Sequence, residues 1–153
     1  MKKTLFALLV VVLSLCGCHA GTDKQTQEIK NAILRYNHLL SEGYIKMNMA
    51  PLLETATPDH VQKVYYHMAA LGEAKIRMES QLVDLKFLEF QFLSKDAAKA
   101  RTREKWNYSH TRIGETLPVR KVVEGYIYQL SYLLVKDDSR WLVSSVSVSE
   151  DAK

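Results

Sequence analysis

Val83-Asp84-Leu85-Lys86-Phe87-Leu88-Glu89-Phe90-Gln91-Phe92 decides how this chain folds. Apolar and polar residues alternate through Val83, Leu85 and Phe87, the period of two of a strand with one buried face. The alternation then slips, and Leu88, Phe90 and Phe92 take over. A slip of one residue turns every later side chain to the other face, and a β-bulge or bend at Phe87-Leu88 is the natural remedy. The stretch predicts a long, bent strand.

Upstream, the period is helical. Over residues 25–42, Ile29, Ile33, Tyr36 and Leu40 are spaced for one helical face, with Gly43 as a stop signal. A short apolar piece from Met47 to Leu53 is interrupted by Pro51. Thr57-Pro58-Asp59 then combines an N-cap residue, a proline for the first helical position and an early acid. The helix it opens carries Val61, Val64, Tyr65, Met68, Leu71 and Ile76 on one face and is expected to reach about Arg77. Gly72 is its weak point.

Downstream, the period of two continues. A strand over residues 97–111 places Ala98, Ala100, Thr102, Glu104, Trp106, Tyr108 and His110 on one side. Its other side carries Lys99, Arg101, Arg103, Lys105, Asn107 and Ser109. A loop with Gly114 and Pro118 spans 112–119, and a third strand covers 121–136. Asp137-Asp138-Ser139 makes a turn, and Trp141 to Val148 forms the last strand, with a second slip at Ser144-Ser145. Helices first, then long antiparallel strands, is an α+β pattern.

With this element order, the bulged strands and the terminal Arg140-Trp141-Leu142-Val143, residues 25–149 resemble the nuclear-transport-factor-2-like superfamily, also called the SnoaL-like or cone fold. The resemblance implies N-terminal helices packed on a strongly curved, bulged antiparallel sheet. It also implies a concave face of the kind often used as a pocket. Ketosteroid-isomerase-like members place an acid and a tyrosine there, but no motif of theirs matches this chain residue by residue.

The first eighteen residues read as an address. Lys2 and Lys3 precede an apolar run from Leu5 to Leu15, followed by Cys16-Gly17-Cys18. The layout is that of a secretory signal, and the run is short of the ~20 residues a membrane span needs. Leu15-Cys16-Gly17-Cys18 resembles the bacterial lipoprotein signal, which implies cleavage before Cys18 and acylation of its sulfur and amine. The expected division is signal peptide 1–17, lipidated tether 18–26, one α+β domain 27–149 and a tail 150–153. Loss of residues 1–17 removes Cys16, so the mature domain has no disulfide partner within itself. It also takes the formal charge from +4 to +2, because Lys2 and Lys3 leave and no acid lies before Asp23. In the Gram-negative members of the resemblance, His19 after the cysteine implies the outer membrane, facing the periplasm.

The concave side of the second strand is the place to look for chemistry. Glu104, Trp106, Tyr108 and His110 alternate there, and Tyr126, Tyr128 and Tyr132 are expected to meet them from the next strand. Trp106, Tyr108, Tyr126 and Tyr128 suit an apolar or aromatic ligand. Glu104 or His110, with Tyr108, is a candidate acid–base pair. Equally, the aromatics are core residues whose hydroxyls reach a rim. His60 and His67 are seven apart, about 10 Å of helical rise, whereas two-histidine zinc sites use i, i+4. No metal and no cofactor is therefore expected. The stripe Lys99, Arg101, Arg103, Lys105 is either a solvated sheet face or a contact for anionic lipid or envelope polymer. It lacks the interleaved aromatics that stack bases, so nucleic acid is not expected.

The sequence thus points to a lipid-anchored envelope protein with a non-catalytic ligand-binding or protein-interaction domain. The alternatives are a small envelope enzyme using the concave pocket and a docking domain of an envelope complex. A positioned acid–base pair in a cavity marks the enzyme, and an exposed apolar patch without a cavity marks the docking domain.

Overall fold

A computed structural model describes residues 19–119 and 122–149. The signal peptide, Cys18 and the tail lie outside the described residues. Two helices, α1 (His19–Lys46) and α2 (Pro58–Glu73), pack on one face of four strands: β1 (Ile76–Ser94), β2 (Ala97–Arg112), β3 (Val123–Asp137) and β4 (Arg140–Val148). The sheet is an antiparallel meander in the order β1-β2-β3-β4. The expected α+β class, helices over a bulged antiparallel sheet, is what the chain forms.

The slips in the sequence are bulges in the sheet. Phe87 pairs with Thr102 and Glu89 with Arg101, so Leu88 is the extra residue. Leu133 pairs with Ser145 and Leu134 with Val143, so Ser144 is the extra residue of β4. Strand β1 has two further bulges, at Val83 and Leu93. Val83 therefore does not share the inward side of Leu85 and Phe87, as simple alternation predicts. Nor does Leu88 share that of Phe90 and Phe92. Leu85, Phe87, Phe90 and Phe92 pack on the core, while Val83, Leu88 and Leu93 are exposed. The three bulges lie along an edge strand, where irregularity discourages pairing with other chains.

Helix α1 is longer than expected at both ends. It starts at His19, so the stretch expected as a tether is largely helical. It also runs through Gly43. Gly43 is a point of close approach rather than a stop: a Cβ there would lie 2.5 Å from Met49 Sδ. Met47, with φ 53°, ends the helix instead. Helix α2 ends earlier than expected, at Glu73, because Lys75 takes φ 57° and sends Ile76 and Arg77 into β1. Thr57 occupies the N-cap position, but its side chain makes no capping hydrogen bond. Tyr65, expected on the inward face, is exposed.

Between the helices, the 3-10 turn Ala50–Glu54 buries Leu52 completely. Ala56 then forms a parallel bridge to Val143, with Val143 N–H donating to Thr55 O at 2.8 Å and Thr57 N–H to Val143 O at 3.0 Å. This covers part of the β4 edge. The core lies between α1 and the inner face of the sheet, around Ile29, Ile33, Leu52, Leu134 and Val143.

Candidate functional site

The inward residues of β2 begin small, with Ala98 and Ala100 fully buried under the helices, and then become large and polar. That change of size opens a cavity of about 400 Å³ between α1 and the sheet. Glu104, Trp106, Tyr108 and His110 all border it, as does Tyr128 from β3. Tyr126 does not: it stacks obliquely on Tyr128 at 4.6 Å and is half exposed. The wall is completed from α1 by Tyr36, Asn37, Leu40 and Tyr44, which sequence reasoning did not assign to the site. Asn37 had a legible signal. It stands four residues after Ile33 on the apolar side of the helix, where a polar residue demands a partner.

That partner is Glu104, whose side chain is fully buried. Oε1 accepts from the Thr102 hydroxyl at 2.8 Å and the Tyr132 hydroxyl at 2.7 Å. Oε2 accepts from Trp106 Nε1–H at 2.8 Å. Asn37 Nδ2 lies 3.4 Å from both oxygens, and its Oδ1 stands 3.2 Å from the Tyr132 hydroxyl. Every one of these groups can donate to the carboxyl oxygens. Burial, with Glu104 beside it, holds the Tyr132 hydroxyl well above the usual phenol range. It therefore stays a neutral donor.

Two tyrosine–histidine pairs join α1 to α2. Tyr36 Oη lies 2.8 Å from His60 Nε2 and Tyr44 Oη 2.6 Å from His67 Nδ1. Burial raises both phenols, Tyr44 to about 12. It lowers His60, with Lys63 adding to the effect. A neutral imidazole accepting from a neutral phenol suits all of these directions. His60 and His67 thus answer separate tyrosines. Among the described residues, no group of three or more His, Cys, Asp or Glu is placed to hold a metal ion.

The Glu104 oxygens already accept from Thr102, Tyr132, Trp106 and, at 3.4 Å, Asn37. His110 and Tyr108 sit at the half-buried rim with their rings 6.3 Å apart and perpendicular. Burial raises the Tyr128 phenol, with Tyr108 beside it.

The basic stripe lies on the opposite, convex face. Lys99 and Lys105 are exposed, and Arg101 pairs with Glu89 across the strands at 3.1 Å. Asp84 stands opposite Lys105. A polar pocket of about 460 Å³ lies beside Lys99, Arg101, Ser131 and Ser147. It is slightly larger than the concave cavity but lacks its aromatic wall.

No protein-family model matches the chain, and no curated protein matches it in sequence. Solved structures do match. The intermembrane space region of the chloroplast protein ARC6 aligns with TM-score 0.68 at 12% identity, over 80% of this chain and 94% of that one. A protein from Catenulispora acidiphila aligns with TM-score 0.58 at 17% identity, over 86% and 94%. A ketosteroid isomerase-like protein from Erwinia carotovora atroseptica aligns with TM-score 0.53 at 15% identity, over 83% and 96%. At such identities the likeness is one of fold: helices packed on an open four-stranded antiparallel sheet, the NTF2-like cone fold.

Proposed function

We propose that this protein is a lipid-anchored component of the cell envelope. Its domain binds a small, largely apolar ligand in the concave cavity without transforming it. One observation supports the second part: the only acid bordering the aromatic cavity, among the described residues, is fully buried and already accepts from four neighbouring groups. A neighbour in fold, from Catenulispora acidiphila, was solved in complex with S-DNPA, which supports small-molecule binding by this architecture.

The anchor rests on Leu15-Cys16-Gly17-Cys18. With α1 helical from His19, the ten residues to Ile29 span about 15 Å, less than half of an extended tether. The domain then sits close to the lipid surface, where Lys99, Arg101, Arg103 and Lys105 contact anionic headgroups or polymer. No described helix is long and apolar enough to cross a membrane, and this reading takes Cys18 as the anchor. The outer membrane, facing the periplasm, is the expected site in a Gram-negative cell. The ARC6 region, an intermembrane-space domain by its description, shows a similar fold at a membrane-bounded surface.

Two experiments test the reading. Cys18→Ser moves the protein from the membrane to the soluble fraction; unchanged fractionation refutes the anchor. The neutral fluorophore N-phenyl-1-naphthylamine gives a saturable signal with the Cys18→Ser chain. Filling the cavity by Val146→Phe abolishes it, and an equal signal from that variant refutes the cavity as the binding site.

A further inference from the structure

We propose that the ligand of the concave cavity is a small organic cation with an alkylated nitrogen. The inference rests on the cavity reading above and narrows it to a ligand class. Among the described residues bordering the cavity, Glu104 is the only carboxylate, no lysine or arginine lines the wall, and the histidines there are His67, paired with Tyr44, and His110. Its partners Thr102, Trp106, Asn37 and Tyr132 are all neutral. Neutral dipoles stabilise a carboxylate and spread its charge, but the net charge remains. The Glu104 side chain is itself fully buried, so its field reaches the adjoining, largely apolar cavity with less screening than in water. A buried ion without a counter-ion is costly, and a cation in the adjoining cavity would supply one.

The wall suits the same guest. Tyr36, Tyr44, Trp106, Tyr108, Tyr128 and Tyr132 all border the cavity. Tyr36 meets Tyr132 at 85°, so neighbouring walls stand nearly at right angles, as in an aromatic box. Aromatic faces attract cations, most strongly when the cation is desolvated. Alkylation follows from the occupied oxygens of Glu104. With four groups already donating to it, the carboxylate offers a guest its field more than a hydrogen bond, and an alkylated nitrogen requires no acceptor. Lys99, Arg101, Arg103 and Lys105 of β2 lie on the other face of the sheet. The fold therefore separates this basic stripe from a cavity wall whose one carboxylate, among the described residues, is Glu104.

The test compares benzyltrimethylammonium with its uncharged isostere neopentylbenzene, and with benzylamine and benzenesulfonate. Each is titrated into the full chain carrying Cys18→Ser at pH 8, with the Trp106 indole N–H resonance as readout. The quaternary cation is expected to bind at least about tenfold more tightly than the isostere, and more tightly than benzylamine. Benzenesulfonate should bind more weakly than either cation. Glu104→Gln should shrink the preference for the cation over the isostere. Should that variant fail to fold, the wild-type order of the four compounds decides alone. An isostere or sulfonate that binds as tightly as the quaternary cation overturns the inference and leaves the cavity reading standing. Tighter binding of benzylamine overturns the alkylated class. If none of the four shifts Trp106, the cavity reading fails and the inference with it.

Discussion

Replacing Glu104 by Gln changes one atom of the side chain and tests the buried network directly. In the wild type, Oε1 and Oε2 together accept from Thr102, Tyr132, Trp106 and Asn37. A glutamine offers one oxygen, and its amide group takes the place of the other. With its oxygen towards Trp106, its amide faces the Thr102 and Tyr132 hydroxyls, which must turn to accept from it, Tyr132 passing its own proton to Asn37 Oδ1. Each hydrogen bond to a charged acceptor contributes about 1.5–3 kcal/mol, and an orphaned buried donor costs about 1–3 kcal/mol. Three short bonds to a carboxylate become bonds to a neutral amide, each weaker by about 1 kcal/mol, so the expected loss is about 3 kcal/mol, a fall in Tm of about 10 °C for a domain of this size. Urea unfolding of the Cys18→Ser chain, followed by circular dichroism with and without Glu104→Gln, measures it. The midpoint should fall with little change in slope. Tyr132→Phe removes one donor and should cost less, and the two changes should be non-additive because they share a bond. A Glu104→Gln loss under about 0.5 kcal/mol, the scale of ordinary surface substitutions, would refute the enclosed network.

Two more perturbations follow from the same geometry. His60 is buried with its Nε2 against the Tyr36 hydroxyl, and burial lowers its pKa below 6.5. The unfolded chain therefore binds a proton near pH 6.5 that the folded chain still refuses. Stability is flat above that pH and falls as pH drops below it, until the lower folded pKa is reached. His60→Gln should flatten the decline of the urea midpoint between pH 7 and 5; an unchanged slope contradicts this. Deleting Leu88, the extra residue of the middle β1 bulge, should either leave a straightened but mispaired strand or turn Phe90 and Phe92 outward. Severe destabilisation is expected on thermal unfolding, whereas Leu88→Ser, exposed and still bulged, should be nearly neutral.

Much of the fold was legible because period-two patterns carry their own errors. The slips at Phe87-Leu88 and Ser144-Ser145 became bulges at Leu88 and Ser144. The bulge at Val83 was hidden, since a valine in phase looks like any inward residue. Helix ends were less legible because close packing and backbone conformation set them. Gly43 resembles a stop until Met49 is seen against it, and Lys75 gives no sign in sequence of its left-handed backbone. The face of β2 was readable, and Glu104, Trp106, Tyr108, His110 and Tyr128 do meet around one cavity. What the strand pattern withheld was the helix wall. Tyr36, Asn37 and Tyr44 join the site through contacts made across the fold. Tyr126, one pleat beyond Tyr128, escapes it near the start of β3.

The two tryptophans provide the most direct test that the concave face is a ligand cavity. Trp106 borders the cavity, and Trp141 is buried in the core beneath Lys136, apart from it. Titration of the 15N-labelled full chain carrying Cys18→Ser with N-phenyl-1-naphthylamine should shift the Trp106 indole N–H resonance saturably and leave that of Trp141 in place. Equal movement of both, or saturation confined to residues around Lys99 and Arg101 on the convex face, would contradict the account.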